Sequence, residues 1–169
     1  LECADFMLAP WDQNQQNPNP DLRPHVINNS WGDEGSSGWY YEVVAAWRAA
    51  GIFAAFSAGN AGPNCQTVNS PGDYDNTFAT GATDSSDNIA SFSSRGPSEQ
   101  GAITPDVTAP GVYVRSSVPG NSYGGGSGTS MASPHSAGEV ALIWSAQPQL
   151  VGQVQLTERL IEDTADGMT

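Results

Sequence analysis

A chain of 169 residues, 38% of them hydrophobic, is long enough for one domain with a real core. Its 18 acidic residues against 5 basic ones give a formal net charge of −13, which argues against a phosphate-binding surface and so against nucleic acid as a partner. No apolar run approaches the length needed to cross a bilayer, and an acidic surface of this kind suits a secreted, salt-exposed setting.

All the basic residues are Arg (Arg23, Arg48, Arg95, Arg115 and Arg159). The opening Leu1-Glu2-Cys3-Ala4-Asp5, with neither a methionine nor a basic leader, predicts a piece of a longer chain. Cys3 and Cys65 leave two readings open, one disulfide or two separate small buried residues, and neither has metal-ligand spacing.

In chain order, Leu1 to Ala9 carries apolar residues at helical spacing and is stopped by Pro10. Trp11 to Pro24, rich in Asn, Gln and Pro, predicts an irregular surface loop. Val26 to Gly32 starts as a β-branched run and ends in small residues, the pattern of a buried strand opening onto a site, so the glycosylation match at Asn28-Asn29-Ser30 is read as fortuitous. Trp39 to Ala50 has Tyr40, Val43, Val44 and Trp47 at helical spacing, with Gly51 as its C-cap. Ile52 to Ser57 is an uninterrupted apolar strand. Strand, helix and strand within about thirty residues make a parallel βαβ unit.

Ser57-Ala58-Gly59-Asn60 follows at a strand's carboxyl end, where ligands of such sheets gather. Asn60 there is either a plain turn residue or an amide donor to a ligand. Asn64 to Asn76 is a long loop with a tight turn or cis bond expected at Ser70-Pro71. Phe78 to Ala82 reads as a third strand, Asp84 to Asn88 as a polar turn, Ile89 to Ser94 as a further extended segment. Val107 to Gly111 with Val112 to Arg115 supplies another strand, leading through Pro119-Gly120 to a glycine run read as too flexible for a strand interior.

The run Gly124-Gly125-Gly126-Ser127-Gly128-Thr129-Ser130 passes into a mostly apolar helix that ends at Gln147-Pro148. A serine held where a glycine loop becomes a helix has backbone N–H groups beside it and room for a substrate; Thr129 or Ser130 as an ordinary N-cap is the alternative. Val154, Leu156, Leu160 and Ile161 predict a last amphipathic helix to about Thr164.

Gly-Thr-Ser-Met-Ala-Ser-Pro-His at Gly128 to His135 resembles the nucleophile signature of the subtilisin-like serine proteases over eight successive residues. Val26 to Gly32 and Ser57 to Asn60 resemble two further blocks of that family in the family's order, and Phe92 to Pro97 and Ala109 to Gly111 its linking pieces. Asn28 to Gly32 and Ala46 to Ala50 are most similar to its bacillopeptidase F branch. The resemblance implies a three-layer αβα domain with a mostly parallel sheet, incomplete at its N-terminus, of which residues 1–169 are the C-terminal part.

It also implies a peptide-bond hydrolase in which Ser130 attacks the scissile carbonyl, while the Asn60 amide and the Ser130 N–H stabilise the oxyanion. Ser30, Trp31 and Gly32 would pair with the substrate backbone; Ala58, Gly59, Asn69, Ser70 and Pro71 would wall the pocket for the residue before the cut. No cofactor is needed for the chemistry. A weak Ca²⁺ or Na⁺ site made of backbone oxygens near Asp73, Tyr74 and Thr77, with the acidic side chain of Asp106 near by, is a further expectation from relatives.

A serine needs a base, and the family's Asp and His motifs have no counterpart here, so both are expected upstream. His135 is carried round the helix away from the attacking face, and His25 precedes the first strand at the end away from the site. The partners expected are therefore a polypeptide substrate and the upstream part of the domain. Among rival readings, an α/β-hydrolase elbow fails at Ala132, and a phosphate loop lacks its Lys. A pseudoprotease or peptide-binding module remains the alternative.

Overall fold

The computed structural model describes residues 2–33 and 35–167. Strand β2 (Phe53–Ser57) organises them: all of its residues are buried, as befits a strand covered on both faces. Its side chains alternate accordingly, Ala54 and Phe56 joining one core cluster, Phe53 and Ala55 the other. Strand β1 (Val26–Asn29) pairs in parallel with β2, Val26 opposite Phe53 and Asn29 opposite Phe56. Strands β3 (Phe78–Thr83) and β4 (Val107–Pro110) continue the parallel ladder, giving the order β1-β2-β3-β4.

Helices α1 (Glu2–Leu8) and α2 (Tyr41–Ala49) cover the first face, where Ala4, Tyr40, Val44 and Trp47 pack with Ala54 and Phe56. Helices α3 (Thr129–Ala146) and α4 (Val154–Thr164) cover the second, with Val140, Trp144, Val154 and Ile161 over Phe53, Ala55 and Phe78. The two buried indoles are satisfied: Trp47 Nε1 donates to the Ala4 carbonyl at 3.1 Å and Trp144 Nε1 to Thr157 Oγ1 at 2.9 Å. A two-pronged ion pair from Arg48 to Glu158 ties α2 to α4. This is the expected three-layer α/β arrangement.

Several boundaries differ from the sequence reading. The first helix spans Glu2–Leu8, and Leu1 lies outside the described residues. β1 is an edge strand and only partly buried, with Asn28 exposed, so the expectation of a fully buried strand is corrected. The segment 89–94 is not a strand. Ile89 makes a single bridge to Thr83, and the chain then turns at 91–93, because Asp84 closes the preceding turn by accepting from the Ser86 and Asn88 N–H groups.

The glycine run differs as well. Ser122–Gly126 is strand β6, antiparallel to β5 (Val114–Val118), with Gly124, Gly125 and Gly126 opposite Ser116, Arg115 and Val114. Side chains from elsewhere do the covering: the Tyr113 ring lies over Gly125 and the Met131 thioether over Gly126. Ser70-Pro71 is cis as expected. Cys3 and Cys65 are both free and both exposed, so neither the disulfide nor the pair of buried residues is found. No helix among the described residues is long and apolar enough to cross a membrane.

Candidate active site

The carboxyl ends of β1 and β2 and the first turn of α3 meet at one point. Gly128 enters α3 with no side-chain cap, and Thr129 does not cap the helix either. Its hydroxyl accepts from the Gly59 N–H at 3.1 Å and donates to Asn60 Oδ1 at 3.1 Å, while its backbone N–H donates to the same Oδ1 at 2.9 Å. An N–H can only donate, so the oxygen of the Asn60 carboxamide is identified by that contact and Nδ2 is left as the outward donor.

A methyl group placed on Gly128 would sit 3.6 Å from both Asn60 Nδ2 and Asn60 Oδ1 and 3.7 Å from the Ser130 backbone N. The Asn60 carboxamide and the Ser130 main chain therefore stand side by side at the start of α3. Ser130 is half-buried, and its hydroxyl donates to the Ser30 carbonyl at 3.3 Å, while the Ser30 hydroxyl donates to the Ser130 carbonyl at 2.8 Å. This reciprocal contact holds the nucleophile's turn against the end of β1.

The expected walls also come together. The Asp33 N–H donates to the Ser70 carbonyl at 2.9 Å, and a Cβ on Gly32 would lie 3.0 Å from that carbonyl. Asn69 N–H donates to the Ala58 carbonyl at 2.9 Å, and its side-chain Nδ2 donates to the Asp33 carbonyl at 2.7 Å. Gly59, at φ +107°, is required: a Cβ there would lie 1.9 Å from Asn69 Oδ1. Trp31, 42% exposed, stands edge-on against Tyr40 and Phe56, and Ala58 and Pro71 are buried.

The residues expected to hold a cation make these contacts. Asp73 Oδ2 accepts from the Ser36 N–H at 2.7 Å, and its Oδ1 is buried without a hydrogen-bond partner. The Tyr74 carbonyl accepts from the Thr77 hydroxyl at 3.0 Å, and Asp106 Oδ2 accepts from the Ala79 N–H at 2.6 Å. Burial, opposed by that bond and reinforced by Glu162 and Glu158, pushes the Asp106 carboxyl up to about 7. A carboxyl raised this far is a weaker cation ligand than an ordinary carboxylate. Among the described residues no group of three or more His, Cys, Asp or Glu is placed to hold a metal ion.

His135 is exposed, its Nδ1 2.9 Å from the Met131 carbonyl, and His25 is exposed ahead of β1. An open cavity of about 800 Å³ lies beside β4, lined by Asp106, His135, Glu139, Ile161 and Asp166, and includes neither Ser130 nor Asn60. Sequence reasoning passed over Thr129 as an orienting group, Asn28 and Ser133. The hydroxyl-rich run Thr129 to Ser136 was the one available signal.

A serine hydroxyl and two N–H donors gathered at a helix start, above the carboxyl ends of a parallel sheet, are the parts of a serine-hydrolase centre. The subtilase family (Peptidase S8) matches residues 9–169, and the chain belongs to that family. It is 45% identical over 179 residues to bacillopeptidase F of Bacillus subtilis (strain 168), covering 100% of this chain and 12% of that protein. To subtilisin E of Bacillus subtilis (strain 168) it is 45% identical over 142 residues, 83% of this chain and 35% of the relative. Among solved structures, sphericase superposes with a TM-score of 0.74 at 27% identity, and the S41 psychrophilic protease with 0.72 at 33%. Each superposition covers 83% of this chain and 48% of the other, so the chain spans about half the length of these solved relatives.

Proposed function

We propose that residues 1–169 are the C-terminal, nucleophile-bearing part of a secreted serine endopeptidase domain. In this reading Ser130 Oγ attacks the scissile carbonyl, the carbonyl oxygen takes up charge between Asn60 Nδ2 and the Ser130 N–H, and collapse expels the amine to leave an acyl-enzyme. The main chain of Ser30, Trp31 and Gly32 pairs with an extended polypeptide. Ala58, Gly59, Asn69, Ser70 and Pro71 wall the pocket for the residue before the cut.

What supports the reading most directly is the hold of Thr129 on Asn60 Oδ1, which leaves Nδ2 as the donor beside the Ser130 main chain. The base and its orienting carboxylate come from the upstream part of the domain, since His25 and His135 lie elsewhere. Without that part the Ser130 proton has only the Ser30 carbonyl to go to. A carbonyl cannot take it, so the isolated chain is inert. No metal or cofactor enters the proposed steps.

A fluorophosphonate, which reacts with an activated serine, separates this reading from a pseudoprotease or peptide-binding module. Expected is labelling of the full-length protein, abolished by Ser130→Ala, with the 169-residue chain unlabelled. Full-length protein that stays unlabelled while still binding peptides would establish the binding module instead.

A further inference from the structure

The first turn of α3 carries a second set of polar contacts, separate from the oxyanion donors. Pro134 lies inside α3, four residues after Ser130, and has no N–H, so the Ser130 carbonyl has no partner within the helix. The Ser30 hydroxyl fills that place at 2.8 Å. A hydroxyl has one proton, so Ser30 Oγ, having spent it, acts toward its other neighbour as an acceptor. That neighbour is Asn28, whose Nδ2 donates at 2.9 Å. The other end of the carboxamide, Asn28 Oδ1, accepts from Ser133 Oγ at 2.8 Å.

Every proton in this relay thus has one direction: Ser133 to Asn28, Asn28 to Ser30, Ser30 to the Ser130 carbonyl. It begins and ends on a single turn of α3, and its middle stands on the end of β1. Ser133 is fully buried, whereas Asn28 is exposed on an edge strand, where burial alone gives no reason for an amide. The Ser130 hydroxyl is also bonded to Ser30, so any shift of the strand end reaches the nucleophile through both its carbonyl and its Oγ.

We propose that Asn28 and Ser133 are positioning residues for Ser130, fixing through Ser30 how the nucleophile's turn sits against the strand end that pairs with substrate. The proposal rests on the protease reading above. Acting on the attacking atom more than on substrate affinity, the relay belongs in kcat.

The test compares full-length protein with its Asn28→Ala, Asn28→Asp and Ser133→Ala variants and the Asn28→Ala/Ser133→Ala double variant. Asn28→Asp keeps the acceptor for Ser133 and the shape of the side chain, but has no N–H₂ for Ser30, so it reports on the relay even where an alanine disturbs folding. The readouts are peptide hydrolysis, the rate of phosphonate labelling at Ser130 and the thermal midpoint. Displacing an attacking group by about an ångström costs on the order of 10²-fold, and a loss of that size is expected in kcat and labelling rate, with KM and the midpoint nearly unchanged. The double variant is expected to fall no further than the single ones, because both cut one relay.

Single variants that match the wild type in kcat and labelling rate overturn the proposal. So do losses that track the thermal midpoint, or that multiply in the double variant. A wild type that neither labels nor hydrolyses overturns the protease reading itself, and this one with it.

Discussion

Asn60 has no periodic pattern around it and stands in what reads equally well as a turn, yet its side chain is held by definite partners. Its oxygen is held twice by Thr129, so rotation of the carboxamide is blocked and Nδ2 is aimed before any substrate arrives. Asn60→Ala in the full-length protein is expected to lower kcat by about 10²–10³-fold with little change in KM, the loss known for such a donor from subtilisin itself. Steady-state kinetics on a peptide substrate check this. Asp106 gives a prediction in stability. Its carboxyl, at about 7 when folded, lies well above the value near 4 of an unfolded chain. The folded protein keeps the proton between those values while the unfolded chain releases it, so stability falls as pH rises through that window, and the loss is complete above it. Asp106→Asn removes the titration. Its thermal midpoint is expected to exceed that of the parent by a few degrees at pH 8 and to match it near pH 3, equivalent to about 2 kcal/mol after allowing for partial exposure.

At the scale of elements, Gly59 shows how tightly β2's end is fitted to the loop beside it. Gly59→Ala must move Asn69, whose Oδ1 lies 1.9 Å from the new Cβ, and must hold φ near +107°. The expected cost is about 2–3 kcal/mol in stability together with loss of the Asn69 contact to Asp33, read by denaturant unfolding. Strand β2 was legible from sequence because an unbroken apolar run has few other uses, and α4 because Val154, Leu156, Leu160 and Ile161 repeat at the helical period. Strand β6 was not. Its glycines have no side chains to make a pattern, and what pairs them is backbone, covered by Tyr113, Val118 and Met131 from other segments. The bridge at Ile89 and the exposure of both cysteines were equally invisible, since each depends on where distant segments pass. The site divides the same way. Ser130 and Asn60 were named from motif resemblance, whereas the Ser133–Asn28–Ser30 relay joins residues about 100 positions apart and leaves no local trace.

For the whole molecule, the four-stranded sheet sets the limits of what the chain does alone. Its β1 edge leaves Val26 and Ile27 half-buried, the kind of strand edge on which, under the proposal above, an upstream part of the domain would pack. Under the proposed reading, co-expression of that upstream part as a separate chain is expected to give phosphonate labelling at Ser130 that the 169 residues alone do not show. The strong acidity fits this division of labour: it keeps the surface soluble and puts no demand on the site, whose working groups are neutral. If residues 60 and 130 grip one tetrahedral centre between them, a crystal structure of the full-length protein phosphonylated at Ser130 will show a phosphoryl oxygen about 2.7–3.1 Å from both Asn60 Nδ2 and the Ser130 N–H. An adduct whose oxygen is turned away from Asn60 overturns that reading.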